Sequence, residues 1–272
     1  VKVTYKVTLT ATGADGSGVD NLTITDILNR TQWSTGNDYL NASYDQSSFK
    51  LVKSGSDEDL LDKNGTMLRF STNSEGYPEA KIENLPPLTN KDETYTLTYD
   101  VTVPAEEFKG NDVKSVKNWV KTDDSHSAEN TDAKKEHKLQ KGSSYNSGTG
   151  RITWTVTVNN PLGPVDDYKV WDELPENLKG KVTGDITITD CNGQTVGTLT
   201  KDSTEFNNFF SETGYTFAGG SSNPPYKFTY ETNAPEIPDG QTEATATNTA
   251  KVTPKDENTI TVTKEEKVDS GN

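Results

Sequence analysis

The strongest constraint on the fold is a two-residue alternation of β-branched or aromatic side chains with polar ones. In residues 1–10, Val3, Tyr5, Val7 and Leu9 occupy every second position. Side chains two residues apart lie on one face of a strand, so this spacing predicts a strand with one buried face. The same alternation predicts strands at 21–28, 95–103, 151–160, 185–190, 226–232 and 259–264.

Helical periodicity is weak throughout the chain. Only two short stretches, 104–110 and 202–210, have a pattern that suits a single helical turn each. Turn-forming residues separate the predicted strands, as in CNGQ (191–194). The combination predicts an all-β chain of antiparallel, immunoglobulin-like β-sandwich architecture.

An internal repeat sets the domain organisation. Residues 95–122 match 226–253, and in both an aromatic alternating strand leads to a final strand bearing an asparagine. Upstream, 3–10 match 152–159, and 22–28 match 168–174. The sequence therefore predicts two tandem immunoglobulin-like domains, residues 1–134 and 135–272, joined by a charged linker near Asp132–Leu139.

Composition excludes several classes of function. The net charge of -15 argues against nucleic-acid binding, and no apolar run approaches the roughly 18 residues of a membrane helix. A single cysteine, Cys191, excludes a cysteine-based zinc site, and two histidines, His126 and His137, leave little for histidine-dependent catalysis. We expect no conventional enzyme, no cofactor and no metal; tandem acidic, threonine-rich units suit a stalk or adhesin.

Three segments together resemble a known family. KGSSYNSGTGRITWTVTVNN (141–160), VWDELP (170–175) and ATNTAKV (246–252) are similar to immunoglobulin-like, collagen-adhesin-type domains of Gram-positive surface adhesins and pilins. In that family a lysine just before the first strand bonds covalently to an asparagine of the last strand, and an aspartate between them promotes the reaction. The resemblance assigns these roles to Lys141, Asn248 and Asp172.

The chemistry requires these residue types to be buried. A lysine amine attacks the asparagine carbonyl carbon only when it is neutral, and burial lowers a lysine pKa. Burial also raises an aspartate pKa, so a protonated Asp172 can donate a hydrogen bond to the Asn248 carbonyl. Lys138, three residues before Lys141, is the main competitor for the role of nucleophile.

The first domain matches this pattern less completely. Asp26 and Asn118 occupy the corresponding positions, but the equivalent of Lys141 falls before residue 1. Three readings stay open: the opening strand is truncated and the lysine lies outside this chain, the domain does not crosslink, or Lys2 or Lys6 serves. Alternation points both lysines outward, and Lys6 is the better fallback because a strand bulge can redirect it.

Two functions follow from these features. The first is a structural stalk in a bacterial cell-surface protein, anchored to the cell wall through a region outside this chain. The second is recognition of a host extracellular protein or glycan between or across the two domains. A binding groove needs an apolar surface, whereas DAKKEHKLQ (132–140) is charged, so the sequence favours the stalk.

Overall fold

The computed structural model describes residues 1–12, 22–34, 39–123 and 126–270. The chain folds into two compact units. The first unit comprises Val1–Phe108 and Val113–Lys135, and the second comprises Lys109–Asp112 and Glu136–Asn272. That the chain consists of two independently folding domains, which meet between residues 134 and 135, stays a prediction.

The first unit contains two antiparallel sheets. Its strands are β1 (Lys2–Thr10), β2 (Ile24–Leu28), β3 (Ser43–Lys53), β4 (Met67–Thr72), β5 (Pro78–Glu83), β6 (Thr94–Thr102), β7 (Lys114–Thr122) and β8 (Ser127–Lys135). One sheet has the order β1-β6-β3 and the other β4-β5-β2-β7-β8. A short 3-10 helix, Ala105–Phe108, connects β6 to β7 and buries Phe108.

The second unit also contains two antiparallel sheets. Its strands are β9 (Leu139–Asn146), β10 (Arg151–Val158), β11 (Lys169–Glu173), β12 (Ile186–Thr189), β13 (Thr195–Leu199), β14 (Tyr215–Thr216), β15 (Tyr226–Asn233), β16 (Glu243–Thr253) and β17 (Ile260–Asp269). The sheet orders are β13-β12-β15-β10-β9 and β14-β11-β16-β17. Helix α1 (Thr204–Phe209) and a 3-10 helix, Glu176–Leu178, lie in the connections.

The all-β fold class is confirmed, since the described residues form four antiparallel sheets of a β-sandwich type. Each segment in which alternation predicted a strand contains a β-strand. The two segments predicted to form helical turns contain Ala105–Phe108 and α1. Strands such as β3, β4 and β5 have no clean alternation and were not expected. Their pairing partners, rather than their own pattern, define them.

Two local expectations are wrong. The charged stretch near Asp132–Leu139 is not a linker over its length, because β8 runs to Lys135 and β9 begins at Leu139. Lys141 does not precede the first strand of its unit, since it lies within β9. Both strands are rich in polar residues and lack a regular apolar alternation, so their backbone pairing to β7 and β10 defines them instead.

Alternation produces a dry core in the second unit. The inward positions of β10, namely Ile152, Trp154, Val156 and Val158, are all 0% exposed. In the first unit a stack of rings contributes to the core, and Phe49 stacks on Tyr99 with ring centroids 4.6 Å apart. Such ring pairs add about 1 kcal/mol each beyond the area they bury.

Candidate functional site: a buried lysine, aspartate, tyrosine and asparagine

Two facing sheets bring four polar side chains together in the second unit. Lys141 (β9) and Tyr230 (β15) come from one sheet, and Asp172 (β11) and Asn248 (β16) from the other. Paired residues share a face of a sheet, and three of the four pair with buried core residues. Those pairs are Lys141 with Val156, Tyr230 with Trp154, and Asp172 with Ala250, two residues beyond Asn248. We call these four residues the Lys141 cluster.

A chain of hydrogen bonds joins the cluster. Lys141 Nζ donates to Asp172 Oδ2 at 2.8 Å. The Tyr230 hydroxyl donates to the same oxygen at 2.5 Å, and Asn248 Nδ2 donates to the Tyr230 hydroxyl at 2.7 Å. The three groups that the family resemblance assigned are therefore in one network, and a tyrosine connects the acid to the amide.

Burial sets the protonation of the pair. The side chains of Lys141 and Asp172 are both 0% exposed. Burial lowers the pKa of Lys141, and the Asp172 charge opposes this shift only in part. Burial likewise raises the pKa of Asp172 against the opposing effect of Lys141. Both shifts favour a neutral amine beside a protonated carboxyl, which is the protonation state that attack on an amide requires.

Aromatic rings enclose the amine. Lys141 Nζ lies 5.2 Å from the Trp154 ring centroid and 5.8 Å from that of Tyr230. Ring faces attract an ammonium by about 2 kcal/mol in a desolvated site. Removing a charge from water costs several kcal/mol, so the loss of hydration outweighs this attraction. The rings therefore act mainly as walls that exclude water.

Tyr230 is the functional residue that the sequence interpretation missed. It is 2% exposed, and burial raises its pKa well above the ordinary value, so it keeps its proton. The Phe210 ring packs edge-on against it at 5.1 Å and fixes its orientation. A signal was present, because the repeat places Tyr99 and Tyr230 at the same position of matching strands.

The expected hydrogen bond from Asp172 to the Asn248 carbonyl is not formed. Asn248 Oδ1 and Asp172 Oδ1 are both buried without a hydrogen-bond partner. The amide reaches the acid through its nitrogen and the Tyr230 hydroxyl instead. Buried carbonyl oxygens without a partner are uncommon, and they cluster where strain or chemistry explains them.

Lys138, the competitor for the nucleophile, is engaged elsewhere. Its side chain is 3% exposed, and Nζ donates to Glu257 Oε2 at 2.5 Å. Lys138 and Lys141 are an odd number of residues apart, so their side chains leave the extended chain on opposite sides. Of the two lysines, Lys141 is the one that contacts Asp172.

The first unit has a related cluster, to which none of the described lysine side chains belongs. The Tyr99 hydroxyl donates to Asp26 Oδ2, and Asn118 Nδ2 donates to both Asp26 Oδ2 (3.0 Å) and the Tyr99 hydroxyl (2.5 Å). The Tyr44 hydroxyl donates to the other oxygen, Asp26 Oδ1, at 2.6 Å. Asn118 Oδ1 is buried without a partner, as Asn248 Oδ1 is. We call these four residues the Asp26 cluster.

Burial also controls the acid of this cluster. Asp26 is 1% exposed, and burial raises its pKa from 3.8 to about 6, although hydrogen bonds from Tyr44, Tyr99 and Asn118 lower it in part. In both aspartates, therefore, burial raises the pKa of the carboxyl.

Lys6 and Lys2 lie outside the Asp26 cluster, which corrects the fallback assignment of Lys6. Lys6 is exposed, on the face of β1 opposite to the buried Tyr5. β1 pairs with β6 in unbroken register from Lys2 to Thr10, so no bulge redirects either side chain. Lys2 is exposed and faces Asp100, with a nitrogen–oxygen distance of 3.8 Å.

Three further features concern other kinds of site: metal ligands, membrane-spanning helices, and the cysteine and tryptophan side chains. Within the described ranges, no group of three or more histidine, cysteine, aspartate or glutamate side chains could hold a metal ion. In the same part of the chain, no helix is long and apolar enough to cross a membrane. Cys191 is exposed in its turn, and Trp154 and Trp171 are buried in the core.

No family model matches the chain, and no curated protein matches it. Among solved structures, it is similar to the C-terminal domain of the Streptococcus agalactiae AgI/II polypeptide BspA (14% identity, 97% of this chain, 92% of that one, TM-score 0.39). It is also similar to the C-terminal domain of the Streptococcus pyogenes antigen I/II-family protein AspA (11%, 99%, 92%, 0.39). A third is collagen adhesin (CNA) from S. aureus (13%, 98%, 89%, 0.27).

These three proteins are Gram-positive surface adhesins, the class that the sequence resembles. At these identities and TM-scores the likeness says nothing about the site or the activity of this chain. Both rest on the chain's own residues.

Proposed function

We propose that the second unit closes itself with an isopeptide bond between Lys141 and Asn248, and that the chain is a stalk module of a bacterial surface adhesin. The observation that carries the proposal is the buried hydrogen-bonded chain from Lys141 through Asp172 and Tyr230 to Asn248. An unreacted lysine, aspartate and asparagine deep between two sheets are costly to bury. A reaction among the three side chains would explain why they are buried at this cost in free energy.

The first step is proton transfer. Lys141 and Asp172 are in direct contact, and burial shifts both pKa values toward the neutral forms, so the lysine proton can pass directly to the carboxyl. The neutral amine then has a free electron pair for attack on Asn248 Cγ. A bond forms between Nζ and Cγ, and the carbonyl oxygen acquires negative charge.

Tyr230 carries the acid's effect to the amide. A half-turn of the Asn248 side-chain amide exchanges its nitrogen and oxygen, and the unpartnered carbonyl oxygen then accepts from the Tyr230 hydroxyl. Protonated Asp172 donates to Tyr230 in turn, so the relay stabilises the oxyanion. The Cγ–Nδ2 bond breaks, and Nδ2 leaves as ammonia after taking one proton from the attacking amine through this network.

The reaction occurs once in each molecule, and no catalytic turnover follows. The product is an amide that links β9 of one sheet to β16 of the facing sheet. Such a bond survives reducing conditions, which suits a chain with one cysteine. Permanent closure of the unit favours a load-bearing stalk at the bacterial cell surface over ligand recognition, because it strengthens the core without creating a binding surface.

Intact mass spectrometry tests the proposal. Each bond releases one ammonia, so the purified chain is expected to weigh about 17 Da less than calculated. Digestion is expected to release one branched peptide that joins Lys141 to Asn248. Asp172→Ala is expected to fold and keep its full mass, whereas Asp166→Ala, a change in the preceding loop, keeps the deficit. Full mass in the unaltered chain, with separate Lys141 and Asn248 peptides, contradicts the proposal.

A further inference from the structure

Gly142 is a glycine in the interior of a strand, where neither backbone conformation nor packing requires one. It lies in the middle of β9, and its φ is outside the left-handed region. A Cβ at this position would meet no described atom within 4 Å. Glycine weakens the interior of a strand, and it often marks a place where another molecule approaches the backbone closely. Open space therefore lies above Gly142, and a side chain there would fill it.

This space belongs to a groove of about 420 Å³ in the second unit, which we call the Gly142 groove. Four side chains line it on the outer face of the sheet: Gln140 (β9), Thr155 and Thr157 (β10), and Lys227 (β15). Alternation places them on the face opposite to that of the buried Val156. The Lys141 cluster lies on the inner face, so the groove and the cluster are separate.

Strand pairing fixes the spacing of these groups. Lys227 pairs with Thr157, and Thr157 pairs with Gln140, so the three form one row across β15, β10 and β9. Thr155, which pairs with Gly142, belongs to the next row. Neighbouring strands lie about 4.8 Å apart, so the first row spans about 10 Å between its two outer residues. A single sugar ring with its substituents fits that span.

The neutral polar groups of the groove are free to bind a ligand. The side chains of Gln140, Thr155 and Thr157 form no hydrogen bond with the described residues. A hydroxyl or an amide both donates and accepts hydrogen bonds, as a sugar hydroxyl also does. The strands hold these groups in place, so little order is lost when a ligand binds.

Lys227 gives the groove a positive charge in a strongly acidic chain. The chain has 42 acidic and 27 basic residues, yet none of the ten described residues that line the groove is acidic. Lys227 forms no ion pair with a described residue. Glu231, on the same face of β15, is ion-paired with Arg151, and Glu136 accepts from Asn159. A carboxylate in the groove therefore meets a cation and faces no like charge.

A further acceptor is fixed where β9 begins. Asn111 Oδ1 accepts from the backbone amides of Lys138 and Leu139 at 2.7 and 2.9 Å, and the Asn111 backbone oxygen lies 2.7 Å from His137 Nδ1. Because a carbonyl oxygen only accepts, the neutral His137 ring carries its proton on Nδ1, and Nε2 keeps a lone pair. His137 lines the groove, so its ring can accept from a ligand hydroxyl.

We propose that the Gly142 groove binds one carboxylated sugar residue of a glycan. Lys227 pairs with the carboxylate, the hydroxyls and amide bond the ring hydroxyls, and the ring lies over the Gly142 backbone. One cation beside several neutral hydrogen-bonding groups matches a ligand with one charge and many hydroxyls. An acidic peptide would bring several charges, and an inorganic anion is too small for the groove. This lateral site is additional to the stalk function and does not depend on the crosslink.

A titration of the isotope-labelled full chain, followed by amide chemical shifts, tests the proposal. The probes are sialyllactose, a hyaluronan tetrasaccharide, neutral lactose and a tetraglutamate peptide. We expect the Gly142 and Thr157 amides to shift with at least one carboxylated sugar, more weakly as salt rises. The sugar that binds identifies the source of the carboxylate. Equal shifts with lactose or with the peptide, or no shift with either carboxylated sugar, overturn the proposal.

Matched substitutions separate the groove from the general charge of the chain. Lys227→Gln is expected to weaken binding by about 10-fold or more, because a hydrogen bond to a charged group is lost. Lys201→Gln makes the same change of charge at an exposed lysine outside the groove, and we expect it to bind as the unaltered chain does. Equal weakening in the two variants would mean that net charge alone attracts the sugar, and the site would be wrongly assigned.

Gly142→Val tests whether the open space itself is used. A β-branched residue suits a strand, and its Cβ has room, so we expect the variant to fold with at least the original melting temperature. The new side chain fills the groove, and binding is expected to be lost. A folded Gly142→Val chain that binds as before places the sugar elsewhere and overturns the proposal. If the variant does not fold, the comparison of Lys227→Gln with Lys201→Gln decides.

Discussion

Tyr230 connects the acid to the amide through a single hydroxyl. Its ring packs in the core, so Tyr230→Phe removes the hydroxyl and keeps most of the packing. Because proton relay by a positioned group contributes on the order of 100-fold or more, we expect crosslink formation to slow by about that factor. Time-resolved intact mass after refolding measures the rate at which the 17 Da deficit appears.

Tyr226→Phe is the matched control for this change. Tyr226 lies on the same face of β15, is 6% exposed, and its hydroxyl accepts from the Asn223 backbone rather than joining the cluster. We expect its crosslinking rate to equal that of the unaltered chain. Equal rates in both variants would show that Asp172 acts without Tyr230.

Asp26 makes the stability of the first unit depend on pH. Its pKa is about 6 in the folded chain and about 3.8 when unfolded, so the folded state holds the proton more tightly between these values. The free energy of unfolding therefore falls as pH rises from about 4 to about 7, by roughly 2 kcal/mol from this group. Asp26→Asn is expected to remove this part of the pH dependence.

Denaturant titration at pH 4 and pH 7, followed by hydrogen exchange of β6 amides, measures the effect. The comparison of the unaltered chain with Asp26→Asn cancels the other titrating groups. If the unaltered first unit instead gains stability between pH 4 and pH 7 relative to Asp26→Asn, folding lowers the pKa of Asp26 and the prediction is wrong.

At the scale of elements, the proposed crosslink would tie β9 to β16 across the two sheets. A closed loop of about 100 residues lowers the entropy of the unfolded ensemble and stabilises by about 4–5 kcal/mol on the loop-closure model. Lys141→Ala is therefore expected to lower the free energy of unfolding of the second unit by at least this amount. Thermal denaturation under reducing conditions and protease digestion measure it.

Lys138→Ala separates the crosslink from the loss of a buried lysine. Lys138 is buried like Lys141 and also ion-paired, but to Glu257. We expect its variant to keep the 17 Da deficit and its protease resistance to stay above that of Lys141→Ala. A Lys138 variant that loses the deficit would reassign the nucleophile.

At the scale of the whole molecule, the proposed crosslink would remove a long stretch of chain from the path of a pulling force. The residues between Lys141 and Asn248 number about 100 and would extend by about 350 Å if released. When the chain is pulled by its ends, we expect the first unit to extend and this stretch to stay closed. Lys141→Ala is expected to add the missing extension in single-molecule force spectroscopy.

The first unit supplies the internal reference, because its extension is expected to be the same in both chains. An unaltered chain that releases the full length of both units would show that the second unit carries no covalent closure. The stalk function would then lose its mechanical basis.

The sequence by itself determined the strands that alternate and the fold class. Alternation is a local property of the backbone, so Val3, Tyr5, Val7 and Leu9 predicted β1, and the matching run at 152–159 predicted β10. The repeat and the family resemblance together placed Asp26, Asn118, Asp172 and Asn248 at matching positions. In the structure, each aspartate pairs with the residue that lies two positions after its asparagine.

Only the tertiary structure decided which groups meet. The choice of Lys141 over Lys138 and the position of Tyr230 between acid and amide depend on how two sheets face each other. The Gly142 groove likewise follows from the pairing of β9 and β10 with β15, a strand far from them in sequence. A period of two specifies the face on which a side chain lies, but packing across sheets selects its partner, because burial and hydrogen bonding are properties of the assembled core.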